Sequence, residues 1–202
     1  MTKPQYSNFT LNANKGAARD PKLPTMRGEA TILDVDGTPV PFEHAVWGPN
    51  APTEDGKREY YSLRITPKDP ALAARQAQMA NGRIETPDVP NARDDYNAGT
   101  IAPKIGQGVL FERSRDELEK AASDGKKPTS FFGSVVVLLP SGPRAIDIAT
   151  WFRAEHGFHS GSANHHDPVK AKSAREAKAQ AGGPVRPDAG KRGGAASAPE
   201  VR

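Results

Sequence analysis

Apolar and polar side chains alternate from residue 27 to residue 67, RGEATILDVDGTPVPFEHAVWGPNAPTEDGKREYYSLRITP. Period-two alternation is the signature of strands with one buried face. It predicts strands over residues 29–35, 38–47 and 58–66. Asp36-Gly37 is expected as a two-residue type I′ hairpin turn between the first two, and residues 48–57 as a polar loop before the third. Parity assigns the faces. Ala30, Ile32, Val40, Phe42, Val46, Tyr61, Leu63 and Ile65 form the expected core, whereas Glu43, Ala45, Trp47, Tyr60, Ser62, Arg64 and Thr66 take the opposite face. Pro39 and Pro41 cannot donate to a ladder, so the second strand is expected to begin at an edge or beside the turn.

Downstream, Asp69-Pro70 joins an N-cap acceptor to a proline at the first helical position, and Asn81-Gly82 supplies an exit. A short helix over residues 71–80 follows; its apolar content is mostly alanine, so it is expected on the surface, covering little. Residues 83–100 read as a long polar loop. A strand is expected over 106–112, with the glycines of Gly106-Gln107-Gly108 as a bulge or tight bend at its start. Ser114 and Glu117 have capping-box spacing, which predicts a helix over 115–123. Residues 131–139, FFGSVVVLL, are apolar on both parities and predict a central strand covered on two sides. A last strand over 144–153 points Ile146, Ile148 and Phe152 inward and Asp147, Ala149 and Trp151 outward.

These elements predict a mainly β domain over residues 26–154: a small antiparallel β-barrel or sandwich of five or six strands, an OB-like barrel being one form of it, with one or two short helices. Residues 1–25 read as a flexible arm in which only Phe9-Thr10-Leu11 can dock as a short strand. Residues 155–202, rich in Ala, Gly, Pro and Lys, read as a disordered basic tail.

Composition narrows the setting. The 202 residues include 19 glycines, 19 prolines and 6% aromatics, so much of the chain is expected outside any core. No apolar run nears the ~18 residues of a spanning helix, and residues 1–15 lack the apolar middle of a secretory signal. With no cysteine, disulfides, thiolate zinc sites and cysteine nucleophiles are excluded together. A cytoplasmic protein with no membrane partner is expected. The net charge of +4 resides in the ends: residues 1–25 carry 4 Lys/Arg against 1 acid and residues 155–202 carry 8 against 5, whereas residues 26–154 carry 16 against 18. The basic ends can attract phosphate, but the body has no cationic excess.

Asn14-Lys15-Gly16-Ala17, Gly28, the Asp36-Gly37 turn, Ala45-Val46-Trp47, Gly56-Lys57 and the run from Tyr61-Ser62-Leu63-Arg64 to Ile65-Thr66-Pro67-Lys68 resemble a group of small phage- and plasmid-borne proteins. Those open with an Asn/Lys/Gly-rich arm and carry a "VDG" hairpin, an "AW" strand end and an "SL-x-hydrophobic-x-PK" strand. The resemblance covers the first third of the chain. It implies a compact β domain of a mobile element that associates with single-stranded DNA. The loop at 48–57 and everything after Asp69 depart from the pattern.

Catalytic chemistry finds no foothold. The segment HGFHSGSANHHD has imidazoles enough for a metal, and His165-His166-Asp167 invites one, but zinc needs ligands fixed at defined spacings, so no metal is expected. No Gly-x-Ser-x-Gly elbow is present, and His44 shares its parity with core residues, as a half-buried structural histidine would. Phosphate loops, dinucleotide fingerprints and Ca²⁺ loops are missing too, so no cofactor is expected and the protein reads as non-enzymatic. One constellation remains. Trp47, Tyr60 and Trp151, with Arg64 and Arg153, all fall on the non-core parity, and aromatics beside cations suit base stacking on an open sheet face. Against this, the same side chains could lie covered under either helix or the N-terminal arm. Two functions follow: a phage or plasmid accessory protein binding single-stranded nucleic acid, or a protein-interaction module, inhibitor or assembly factor, that binds none.

Overall fold

The structure is a computed structural model of the chain and describes residues 6–51, 59–83, 104–125 and 127–167. Eight strands follow one another: β1 (Asn8–Ala13), β2 (Met26–Leu33), β3 (Pro39–Asn50), β4 (Tyr60–Pro67), β5 (Gln107–Glu112), β6 (Phe131–Leu139), β7 (Gly142–Arg153) and β8 (Phe158–His165). Each is antiparallel to its sequence neighbour, and β8 pairs with β1, which closes the sheet into a barrel. Helix α1 (Pro70–Ala80) lies between β4 and β5, and α2 (Arg115–Ser123) between β5 and β6. No helix among the described residues is long and apolar enough to cross a membrane.

The small antiparallel barrel is the predicted architecture, with eight strands in place of five or six. The two additional strands are the closing ones. β1 grows from the expected docking segment, and its Phe9 and Leu11 are fully buried. β8 lies in the segment assigned to the disordered tail, so the folded body extends from residue 8 to 165 rather than from 26 to 154. Its sequence, FHSGSANH, shows no apolar alternation, because a Cβ at inward-facing Gly161 would lie 2.0 Å from the Ala149 carbonyl oxygen of β7 and Ala163 is fully buried in the core. A strand whose inner positions are histidine, glycine and alanine looks like a loop. The expected disorder of residues 168–202 and most of the 83–100 loop lie outside the described residues.

Parity reads the interior correctly for the central strands: Ala30, Ile32, Val40, Phe42, Val46, Leu63, Ile65, Ile146 and Ile148 belong to one core. Phe152 keeps its inward parity but sits beyond the last full layer and is 53% exposed. β6 is covered on both sides, as its double parity requires. Val135, Val137 and Leu139 enter the barrel, while Val136 and Leu138 pack outside it against Met79 and Ile105. Helix α1 therefore covers more than its alanines suggested. Its Asp69 cap and the Ser114–Glu117 capping box of α2 form as predicted.

Three polar devices hold this frame. Where β5 begins, the buried Gln76 of α1 replaces a ladder rung: its Nε2 donates to the Ile65 carbonyl (2.7 Å), and its Oε1 accepts from Leu138 N–H (3.2 Å). Gly106, at φ 78°, makes room, since a Cβ there would meet Gln76 Nε2 at 2.6 Å. At the β2–β3 end, the turn is longer than the two-residue hairpin predicted, because Leu33 is already the partner of Pro39 and residues 34–38 form the loop. Asp34 turns inward there. It accepts from Val35 N–H (2.7 Å), from Ser141 N–H (3.0 Å) and from the Ser141 hydroxyl, tying two loops together. Burial raises its carboxyl pKa, but these donors outweigh that and hold it below the ordinary value. Pro39 and Pro41 lie beside this turn, as expected, before β3 meets β4 at Phe42.

The third device is His44, inward-facing and 5% exposed. Its ring stacks on Phe9 (4.0 Å, 8°), and Nε2 lies 2.8 Å from the Thr10 carbonyl. A carbonyl only accepts, so Nε2 carries the hydrogen; Nδ1 is then buried with no partner. Gly28 permits the approach, since a Cβ there would lie 1.8 Å from the Thr10 oxygen. Burial of the ring pushes the His44 pKa down to about 4, against the pull of Thr10 and Glu29.

Two outcomes are expected. A chain ending at residue 157 should lose its cooperative thermal transition by near-UV circular dichroism, because β1 and β7 would each keep an open edge, whereas a chain ending at 167 should retain it. For His44, the unfolded chain takes up a proton near pH 6.5 and the folded chain only near 4. Its stabilising contribution is thus complete above pH 6.5 and falls as pH drops toward 4, by about 3 kcal/mol. Urea denaturation at pH 7.5 and 5 should show a steeper loss for the native chain than for His44→Gln; equal losses would show that another group carries the dependence.

Candidate nucleic-acid interface

On the outer wall, β3 presents Glu43, Ala45 and Trp47, and β4 presents Tyr60, Ser62, Arg64 and Thr66, as alternation requires. Register decides which of them meet. Ala45 is flanked in one row by Arg27 of β2 and Arg64 of β4, and Trp47 lies opposite Ser62. With strands roughly 4.8 Å apart, the two arginine positions are about 10 Å apart, separated by only a methyl group. The Arg64 guanidinium lies 5.6 Å from the centre of the Trp47 ring, a cation–π distance. Tyr60 flanks Ser62 on the other side, where Asn50 Nδ2 donates to Ser62 Oγ (3.1 Å) and bridges a register shift between Trp47 and Asn50.

The β1–β2 connection brings further charge to this wall. Trp47 Nε1 donates to the Lys22 carbonyl (3.2 Å), and Thr25 Oγ1 donates to the Val46 carbonyl (3.0 Å). Those bonds lap the connection against the end of β3. It carries Lys15, Arg19 and Lys22, all exposed, and one acid, Asp20, whose Oδ1 accepts from Lys22 N–H (2.9 Å). Among the described residues, Arg27, Arg64, Lys15, Arg19 and Lys22 enter no ion pair. The excess of positive charge assigned to the ends therefore reaches the folded surface at this point.

Trp151 and Arg153 are not brought to this patch. They stand on β7, three strands beyond β4 and four beyond β3 in a ring of eight. Trp151 Nε1 donates to the Lys127 carbonyl (3.3 Å), and Arg153 Nε to Ser160 Oγ (2.7 Å). Shared parity meant a shared outside, but the outside of a closed barrel faces every direction. Trp47, Tyr60 and Trp151 are all half-buried, so the cover given by the arm and by the connection after α2 is partial.

Several neighbours escaped the sequence reading. Arg27 has the outward parity of Glu29, but its place beside Arg64 depends on register. Between β4 and β7 the outer wall holds Phe111 opposite Phe132, with ring centres 5.7 Å apart and the Arg113 guanidinium 4.8 Å from the Phe132 centroid. Both rings lie on the outward parity of their strands, next to the inward Leu110 and Phe131. The histidines of the β8 region serve the frame: His165 Nε2 lies 2.7 Å from the Leu33 carbonyl, and His166 Nδ1 lies 3.0 Å from Asp147. Among the described residues, no group of three or more His, Cys, Asp or Glu is placed to hold a metal.

The chain matches no protein-family model, no curated protein and no solved structure.

Proposed function

We propose that the β2–β3–β4 wall binds single-stranded nucleic acid without enzymatic action. The observation that carries this reading is the Arg64–Trp47 pair with Arg27 in the same row and, among the described residues, no carboxylate in an ion pair with either guanidinium. An indole fixed at its N–H by a backbone carbonyl offers a ring on which a base stacks, a contact of about 1–3 kcal/mol that tolerates any sequence. Guanidinium groups on either side of a small residue receive successive phosphates, in bidentate fashion where geometry allows. Tyr60 extends the stacking surface, and Lys15, Arg19 and Lys22 extend the field. The resemblance to phage- and plasmid-borne proteins points the same way. Trp151 and Arg153 lie outside this wall and play no part in it.

Binding of a fluorescein-labelled thymidine oligonucleotide, followed by anisotropy across a salt series, tests the proposal. Trp47→Ala and Tyr60→Ala should each weaken binding by about 1–3 kcal/mol, Trp47→Phe should restore most of the loss, and Trp151→Ala should leave affinity unchanged. Arg27→Ala and Arg64→Ala should each flatten the slope of log K against log salt by about 0.7. No binding at low salt, or equal losses for Trp47→Ala and Trp151→Ala, would overturn the assignment and leave a protein-interaction module as the reading to pursue.

A further inference from the structure

At the barrel end where β4 and β8 begin and β5 and β7 finish, the innermost layer is not aliphatic. Tyr61, Glu112, Phe131, Phe152 and His159 take the inward parity of their strands there. Their rings form a continuous chain. Tyr61 meets Phe131 edge-on at 5.3 Å, Phe131 meets His159 at 5.0 Å, and His159 meets the exposed Phe152 at 5.1 Å. Phe131, 4% exposed, floors this layer over the core.

Two polar groups here have acceptor capacity to spare. Glu112 Oε2 accepts the Tyr61 hydroxyl at 2.9 Å, and among the described residues the other carboxylate oxygen has no hydrogen-bond donor. His159 Nδ1 is buried without a hydrogen-bond partner. Burial lowers the His159 pKa against the pull of Glu112, so the imidazole is neutral at pH 7 and one ring nitrogen accepts. Burial, then the bond to Glu112, then the carboxylates of Glu112 and Glu59 push the Tyr61 hydroxyl well above its ordinary pKa, so it stays a donor to Glu112. Beside them opens a cleft of about 340 Å³ lined by Glu59, Tyr61, Glu112, Arg113 and Ser114. Among the described residues that line it, the one cation is already engaged: Arg113 Nε donates to Thr129 Oγ1 (2.8 Å), and its guanidinium lies 3.9 Å from Glu117 and over Phe132.

We infer that this barrel mouth is a binding site for an organic cation, a primary ammonium on an aliphatic stem. Barrel mouths are common places for small ligands, and apolar walls with a few convergent polar groups are their usual construction. Here the stem would lie against Tyr61, the aromatic ring among the described residues that line the cleft, and the ammonium, a donor with no acceptor, meets the open oxygen of Glu112, with Glu59 adding field and the Tyr61 ring adding cation–π attraction. A phosphate or carboxylate would face two acids and is excluded. The site is thus separate in place and in charge from the basic outer wall, and it stands whether or not that wall binds nucleic acid. The ammonium could belong to a free amine or to a lysine side chain of a peptide.

The test is a titration of the full-length protein with n-butylamine and, separately, with N-acetyl-lysine amide, read by the NMR resonances of the His159 ring and the Tyr61 amide. Both probes should cause saturable shifts if the stem and charge suffice, whereas tighter binding of the lysine derivative would identify a peptide as the source. n-Butanol, the neutral counterpart, should cause none. Glu112→Gln, whose side-chain oxygen still accepts from Tyr61, should melt like the native chain and weaken either amine by about tenfold or more. Trp47→Ala should leave amine binding unchanged. Equal shifts from butanol and butylamine, unchanged affinity in Glu112→Gln, or no saturable shift with either amine would overturn the site.

Discussion

The pairing of β1 with β8 is the interaction on which the rest depends. It joins the first and last strands of the barrel, which are about 150 residues apart in the chain, so its loop-closure cost is high and its return is the removal of both sheet edges at once. β1 is anchored for that task from three sides. Its backbone pairs with β2 and with β8, and its Thr10 carbonyl meets His44 of β3 across the glycine gap at Gly28. Phe9 stacks on the same histidine. A neutral imidazole inside the barrel is therefore a clamp on the closing strand, and its cost is one buried nitrogen without a partner.

Closure also decides where chemistry can sit. Inside, bulk on one strand is balanced by smallness on another: Phe9, Phe42, Leu63, Leu110 and Ile146 fill a space that Ala30 and Ala163 leave open. A filled interior of this size suits a small barrel of eight strands, which is just wide enough for its own side chains. Polar groups with capacity to spare are then pushed to the outer wall and to the mouth. Outside, an alternating strand presents polar side chains to water on a convex surface, and the Arg27–Ala45–Arg64 row arises from the meeting of three strands rather than from any one of them.

The two ends of the barrel differ in consequence. One is sewn shut by Asp34, Ser141 and His165 through hydrogen bonds to loop backbone and hydroxyl. The other ends in aromatic rings, a carboxylate and, among the described residues, an unpartnered imidazole nitrogen. Acid at the mouth and base on the wall are kept apart by the thickness of the sheet itself, since inward and outward positions alternate along the same strand, as Tyr61 and Tyr60 do.

Strand identity, inward and outward faces, and both helix caps were legible in the sequence, because each depends on neighbours within a few residues: the alternation through Ala30, Ile32, Phe42 and Ile65, the double parity of residues 131–139, Asp69-Pro70, and Ser114 with Glu117. The length of the β2–β3 turn was not, since Asp34 leaves the strand to reach Ser141, more than a hundred residues away. Nor was β8, whose inward Gly161 is small because the β7 backbone lies against it and whose inward Ala163 is sealed in the core. The site divided along the same line. Trp47, Tyr60 and Arg64 share adjoining strands and stayed together, whereas Trp151 and Arg153 were carried round the ring and Arg27 was brought in. The sequence by itself determined which side chains face outward; the closed tertiary structure alone decided which of those outward side chains are neighbours, because register and ring order are set by contacts between distant segments and leave no trace in local periodicity.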